Sequence, residues 1–556
     1  MMNATTPEPR QQGRDIPALS AFTLCEAFQT TVRARGDEVA LRTSGGGVVL
    51  TWRHYAERVG CVASGLAALG VERGDTVALM LTNRPEFHIV DMAALHLGAT
   101  PFSVYNTFSP KQIAEVCANA GPRVVVTERR FLEQVKLGMT NIEHVVLVDA
   151  DSDIDGVLRL EELEAPLGNG INVEKSWRAV DPEDLLTIIY TSGTTGPSKG
   201  VELTHANVLQ VLCAMTERFS MQPGGRAVSH LPAAHIGDRW ANHYWPVLLG
   251  AEVTCVPEPR ALQATLKEVR PTYFGAVPRT WEKLKDAIER DGLRRDAGEP
   301  GPLESFGLGD CRFGIVGAAP TPPSVIEFFA GLGLPLCDVW GMSETAGLAT
   351  ATPPERIKAG SVGLPLPGVE LRTASDGELL LRGGMVMRGY RADPARTAEA
   401  LDEEGWLHTG DLAEVDDDGY VRIVDRKKDI IINASGKNMS PANIESVLKA
   451  ASPLVGHVVC IGDARPYNVA LVVPDSEALA GRPADDPEVH SEIASAIDRA
   501  NADLARVEQI KTFTVVDAEW LPGGVELTPT MKLRRQPIME KYADRIEQLY
   551  DRSGPQ

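Results

Sequence analysis

Leu185-Leu-Thr-Ile-Ile-Tyr190 runs directly into Thr191-Ser-Gly-Thr-Thr-Gly-Pro-Ser-Lys-Gly200. The first six residues are apolar and rich in β-branched side chains, which predicts a buried strand. The ten that follow are small hydroxyl residues and glycines, completed by a lysine. Gly193 and Gly196 let backbone N–H groups turn inward toward phosphate oxygens. The hydroxyls of Thr191, Ser192, Thr194 and Thr195 add donors, and Lys199 adds positive charge. Gly193 and Lys199 have the separation of a GxxxxGK[ST] loop. Ser198, however, stands at its second glycine and Gly200 at its metal-binding hydroxyl, so an ordinary P-loop NTPase is disfavoured. A plain Ser/Thr/Gly surface loop is the competing reading, and the position immediately after a strand weighs against it.

Upstream of this segment, strands and helices alternate. Val77–Leu81, Pro101–Tyr105, Arg123–Thr127 and His144–Val148 read as strands. Glu86–Leu97, a stretch capped by Ser109 through Ala120, and Arg129–Leu137 read as helices. That rhythm predicts a mainly parallel sheet covered on both faces. A second series runs through Leu185–Tyr190, Val208–Phe219, Glu252–Val256, Leu262–Val269 and Tyr273–Val277. Between about residues 360 and 425 the texture changes to short strands separated by Asp376-Gly377 and Asp418-Gly419, the signature of tight hairpins. This stretch reads as a small antiparallel barrel. A mixed pattern on a smaller scale resumes after Arg426. The expected fold is α/β: a large N-terminal domain (15–425) of doubly wound sheets with a small β-barrel (360–425), then a smaller α+β C-terminal domain (426–556).

Composition narrows the function classes. The 556 residues include 55 basic and 76 acidic side chains, a net charge of −21. A field of that sign repels phosphate backbones and argues against a general nucleic-acid binder or a polybasic membrane anchor. The eight cysteines are scattered without a CxxC pair, which reads as reduced thiols. The 11 histidines offer no metal-ligand spacing. Met1 to Arg14 is polar and lacks the apolar stretch of a signal peptide. No apolar run reaches the roughly 20 residues of a membrane span. A cytoplasmic protein, monomeric or homodimeric, is expected, with peripheral membrane contact left open.

Further motifs follow in order: Leu231-Pro-Ala-Ala-His-Ile-Gly-Asp-Arg239, Gly317-Ala-Ala-Pro320, Trp340-Gly-Met-Ser-Glu-Thr345, Thr409-Gly-Asp411, Asp425-Arg-Lys-Lys-Asp429, Ser435-Gly-Lys-Asn438 and Pro529-Thr-Met-Lys532. With Tyr190–Gly200 they resemble the adenylate-forming superfamily, from about Phe22 to Tyr550. That family includes acyl-CoA synthetases, peptide-synthetase adenylation domains and beetle luciferases. The resemblance implies attack of a carboxylate on the α-phosphate of ATP, then displacement of AMP by a thiol. It assigns Ser192 and the rest of the loop to the phosphates. Gly317, Ala318, Trp340, Gly341 and Ser343 fall to the adenine segments, Asp411 to the ribose, and Arg426 to the ribose or phosphate. Glu344 and Thr191 would hold Mg²⁺, and Lys532 would be the catalytic lysine. Lys428 would be the hinge of a mobile C-terminal domain, and His235, Ser435 and Gly436 would lie near the acid or CoA. Trp340 replaces the tyrosine common at its position, and its larger face preserves stacking. A satisfied core histidine is the alternative for His235, and His205 reads as serving helix initiation after Thr204.

Arg270–Leu284, Leu231–Arg239 and Lys427–Pro441 resemble long-chain fatty acyl-CoA synthetases. An alkyl chain needs apolar surroundings, each buried CH₂ contributing about 0.8 kcal/mol. No aspartate for an α-amino group can be assigned in the acid segment. The expected activity is ATP-dependent conversion of a medium- to long-chain fatty acid to acyl-CoA, with ATP and CoA as co-substrates. No carrier domain follows Gln556, which argues against a multidomain peptide synthetase. The alternatives are a fatty acyl-AMP ligase serving a separate carrier protein, an aryl- or sterol-acid CoA ligase, or a binding-only pseudoenzyme.

Overall fold

A computed structural model describes residues 16–165, 171–191, 198–292, 301–434, 436–529 and 531–551. Ser192, Gly193, Thr194, Thr195, Gly196 and Ser435, all expected at the site, lie outside the described residues.

The first βα series forms one all-parallel, five-stranded sheet in the order Thr100–Ser103, Thr76–Met80, Val124–Thr127, His144–Leu147, Leu158–Arg159. The Thr76–Met80 strand is buried along its whole length, as a strand covered on both faces must be. Ser109 caps the Pro110–Ala120 helix in a reciprocal capping box with Gln112. A second sheet pairs Arg226–Ser229 and Glu252–Cys255 with Val39–Thr43 and Val49–Thr51 from near the N-terminus. In a third, Phe274–Ala276, Gly314–Gly317 and Leu336–Trp340 run parallel, and Thr350–Ala351 and Leu364–Pro365 add antiparallel edges.

The Leu185–Thr191 strand departs from the parallel series expected of it. It pairs antiparallel with Lys199–Thr204, which pairs in turn with Gly389–Tyr390. The cause is loop length: Thr191 lies opposite Lys199, and so short a connection returns a strand antiparallel. The stretch expected to be barrel-like forms four antiparallel strands, Glu370–Thr373, Glu378–Arg382, Leu407–Val415 and Val421–Arg426, in chain order.

Beyond Arg426 a three-stranded sheet combines Val455–Ile461, Asn468–Pro474 and Ile510–Val515. Its two-residue side-chain period is explicit in the packing. Val458 and Cys460 face the Pro441–Ala451 and Pro487–Asp503 helices, whereas Val459 and Ile461 face Ile538, Ile546 and Leu549 of the terminal helices. Among the described residues, the hydrophobic clusters built from residues up to Ile423 share no member with those that begin at Ile431. Polar ties join the two parts. Ser440 Oγ donates to Asp425 Oδ2 (2.5 Å), Lys283 pairs with Glu477 (2.7 Å), and Arg279 pairs with Asp475.

Candidate active site

The parallel strands of the third sheet end side by side, with Gly317 opposite Val339. The carboxyl ends of such strands are where open α/β sheets place ligands. Ala318 follows with φ +72°, a left-handed conformation that non-glycine residues seldom adopt. Gly341 leaves Trp340 in a turn so tight that a Cβ there would meet Gly347 O and Leu348 Cα. The short helical turn Ser343–Thr345 then presents Glu344, which is buried. Tyr390 donates from its hydroxyl to Glu344 Oε1 (2.7 Å), and Lys199 Nζ lies 4.6 Å from the centre of the Tyr390 ring. Tyr390 therefore joins the lysine that closes the phosphate loop to the carboxylate expected at the metal. The sequence reading missed Tyr390. It also missed Asp338, which shares the strand face of Trp340 and whose carboxyl burial pushes up to about 8.

Asp411 and Arg426 occupy directly opposed positions on neighbouring antiparallel strands. Arg426 Nε is 3.2 Å from Asp411 Oδ1, and Trp340 Nε1 donates to Asp411 Oδ2 at 3.1 Å. Burial raises the Asp411 carboxyl, and the Arg426 guanidinium opposes that rise. Lys532 comes from the C-terminal part of the chain, within electrostatic range of Arg426, Asp411 and Glu344. Its turn is closed by Thr528 N donating to Lys532 O (2.9 Å) and Lys532 N donating to Thr528 Oγ1 (3.0 Å). Met531, just before it, has φ +64°. Water reaches the Lys532 side chain, yet the protein surrounding its head lowers the ammonium to about 8. Loss of hydration is the main cause. The like charge of Arg426 adds to it, while Asp411 and Glu344 pull the other way. Lys532 thus lies within electrostatic range of both expected ligand-binding carboxylates.

His235 caps the short Ile236–Asp238 helix, its Nδ1 accepting from Gly237 N at 3.0 Å. Burial and then the charge of Lys532 lower it to about 4, so it is neutral at physiological pH. Thr191 ends its strand, half-buried. Lys428 sits in the turn closed by Asp429 N donating to Arg426 O (2.9 Å), and burial lowers its ammonium. Gly436 takes φ +73° in the hairpin between Ile431–Ile432 and Asn438–Met439. That hairpin is tied to Asp463 and Arg465, with Ile432 N donating to Asp463 Oδ1 (3.0 Å) and Ala434 N to Arg465 O (2.9 Å). His205 follows the Thr204 cap and accepts from Leu24 N (3.0 Å).

Arg239 ends the expected acid segment but is wholly buried. It donates to Asp91 Oδ2 (2.6 Å), Ser103 Oγ (2.9 Å), Tyr244 (2.5 Å) and Ala233 O (3.1 Å). His243 meets the other Asp91 oxygen at 3.0 Å. With its donors engaged in this way, Arg239 anchors the wall of the cleft to the Pro85–His96 helix.

Comparison with known proteins places the chain in a family. The profile of the family described as AMP-binding enzyme matches residues 28–391, and that of the AMP-binding enzyme C-terminal domain matches residues 428–554. A relative in Mycobacterium tuberculosis, described as the putative fatty-acid–CoA ligase fadD11, is 46% identical over 71% of this chain and 79% of its own length. The long-chain-fatty-acid–CoA ligase FadD15 of Mycobacterium bovis is 32% identical over 90% and 92%. In fold, the chain is similar to the adenylation domain of a carboxylate reductase from Mycobacterium chelonae. The TM-score is 0.80 and the identity 21%, covering 96% of this chain and 92% of that one. The chain belongs to the AMP-binding enzyme family, the adenylate-forming group whose motifs its loops carry.

Proposed function

We propose that the cleft activates a medium- to long-chain fatty acid with ATP and transfers the acyl group to CoA. A carboxylate oxygen attacks the α-phosphorus as the bond to pyrophosphate breaks, leaving acyl-AMP. The CoA sulfur then attacks the acyl carbon, its proton is lost, and AMP leaves. The observation that supports this reading most is the convergence of Lys532, Glu344, Asp411 and Arg426, drawn from separate segments, on one cleft.

The first step brings two anions together, and fixed positive charge is worth most where negative charge accumulates. Lys532 spans the acid and the α-phosphate, Lys199 serves the outer phosphates, and Asp411 accepts from the ribose. Neutral His235 lines the wall beside Lys532 without adding charge. Glu344 and Thr191 present oxygen donors that suit Mg²⁺. Among the described residues no group of three or more His, Cys, Asp or Glu could hold a metal. The oxygens of ATP phosphates would supply further ligands of the kind Mg²⁺ takes. When bound, the cation neutralises phosphate charge. The fatty acid as substrate is supported by the names of the relatives, and no helix among the described residues is long and apolar enough to cross a membrane.

The test is purified protein with ATP, Mg²⁺, palmitate and CoA. AMP and palmitoyl-CoA are expected in equal amounts. Adenylate without CoA turnover would replace the thiol assignment, and absence of pyrophosphate release would overturn the reading.

A further inference from the structure

We propose that Trp340 is a positioning residue for the nucleotide's ribose: its indole N–H holds Asp411 so that the two ribose hydroxyls are read unequally. The inference rests on the reading of the cleft as an adenylate site. Trp340 Nε1 donates to Asp411 Oδ2 at 3.1 Å. Asp411 Oδ1, by contrast, is buried and has no hydrogen-bond partner among the described residues. Arg426 Nε lies 3.2 Å from Oδ1 and supplies charge without a well-directed hydrogen bond. The carboxylate is therefore asymmetric, one oxygen hydrogen-bonded by the indole and the other facing the Arg426 charge without a directed hydrogen bond. A buried acceptor without a donor is costly unless a ligand supplies one.

The carboxylate is also held from behind. Asp411 N donates to Thr409 Oγ1 (3.1 Å), and Asp411 is paired in register with Arg426 on the neighbouring strand. Its backbone is fixed, and rotation of the carboxylate is the remaining freedom that the indole removes. Trp340 is only half-buried, so part of the same side chain stays open to a ligand. Phenylalanine keeps a ring there and removes the donor. Tyrosine places its hydroxyl at the far end of a smaller ring, away from the position of Nε1.

The test measures kcat/KM for acid-dependent ATP–pyrophosphate exchange with ATP, 2′-deoxy-ATP and 3′-deoxy-ATP. Wild type, Trp340→Phe and Trp340→Tyr are compared, with thermal melts to verify folding. In wild type, removing one hydroxyl should cost at least about tenfold more than removing the other, the scale of one hydrogen bond to a charged acceptor. In both variants the two deoxynucleotides, each taken relative to that variant's own rate with ATP, should converge to within about threefold. The second variant carries the test if the first does not fold. An unchanged ratio in the folded variants, or equal losses in wild type, would overturn the proposal. A wild type that exchanges no pyrophosphate with ATP itself would instead remove the adenylate reading beneath it.

Discussion

Lys532 is charged only while protonated, and its surroundings bring that loss of charge down to about 8. A group lowered in this way performs its electrostatic work below that pH and loses it above. The kcat/KM for adenylation, which reports groups of the free enzyme, should therefore fall as pH rises through about 8. Lys532→Arg should carry this limb to higher pH, because a guanidinium does not titrate there. Lys532→Ala should abolish adenylation yet still convert supplied acyl-adenylate and CoA to thioester, since the role proposed for the ammonium is confined to the charge that builds up on the α-phosphate. Near-normal pyrophosphate exchange in Lys532→Ala would remove that role. Glu344→Ala and Asp411→Ala should each lower exchange by about a hundredfold or more at an unchanged fold, the scale of losing a charged partner in a closed site. Near-normal exchange at saturating ATP in either variant would remove that residue from the site. Ala318, after the Gly314–Gly317 strand, and Met531, next to Lys532, both take positive φ, a conformation that costs a non-glycine residue.

At the scale of elements, the turn at Arg426–Asp429 and the helix that follows Lys532 carry separable loads. Lys428 occupies a central position of that turn. A proline there fixes its own φ and restricts Lys427 as well. Lys428→Pro should spare adenylate formation and impair thioester formation, as measured by the two half-reactions in the same preparation. Equal losses would argue against a hinge. Arg535 donates both terminal nitrogens to Glu445 at 2.7 Å, and Glu445 also accepts from Cys460 N (2.8 Å). Removing one partner of so buried a pair costs about 3 kcal/mol or more. Arg535→Ala should thus lower the melting temperature and weaken both half-reactions alike, unlike Lys532→Ala. What the sequence made legible follows the same division. Glu344, Asp411 and Lys532 sit in short contiguous motifs, so their chemistry could be read locally. The contact of Tyr390 with Glu344 spans 46 positions and that of Arg239 with Asp91 spans 148, and no local pattern encodes such pairings. The antiparallel return of Lys199–Thr204 was missed for a related reason, since its apolar residues fit either sheet direction and only the loop length decides.

Over the whole molecule, the two parts meet through polar ties and share no hydrophobic cluster among the described residues. A polar interface is the kind that separates without exposing a large apolar surface. Arg279 pairs with Asp475 from the Pro278–Gly292 helix, and Lys283 of the same helix pairs with Glu477. The Arg279–Asp475 side chains are 30% and 16% exposed, whereas those of Lys283 and Glu477 are 47% and 72% exposed. The inner pair is screened less by water and salt, so it should dominate. In this arrangement Lys532 lies within electrostatic range of Asp411 and Glu344, the placement that its proposed role in adenylation needs. If thioester formation uses a different placement of the C-terminal part, both pairs must break between the half-reactions. Arg279→Ala should then slow adenylation several-fold, an effect of about 1 kcal/mol, and leave thioester formation from supplied adenylate equal or faster. Lys283→Ala should change either rate by less than about twofold. Raising ionic strength should move the ratio of the two rates in wild type and much less in Arg279→Ala, because the screened contact is already absent there. A ratio that responds to salt equally in both proteins would mean that this contact does not bias the placement of Lys532.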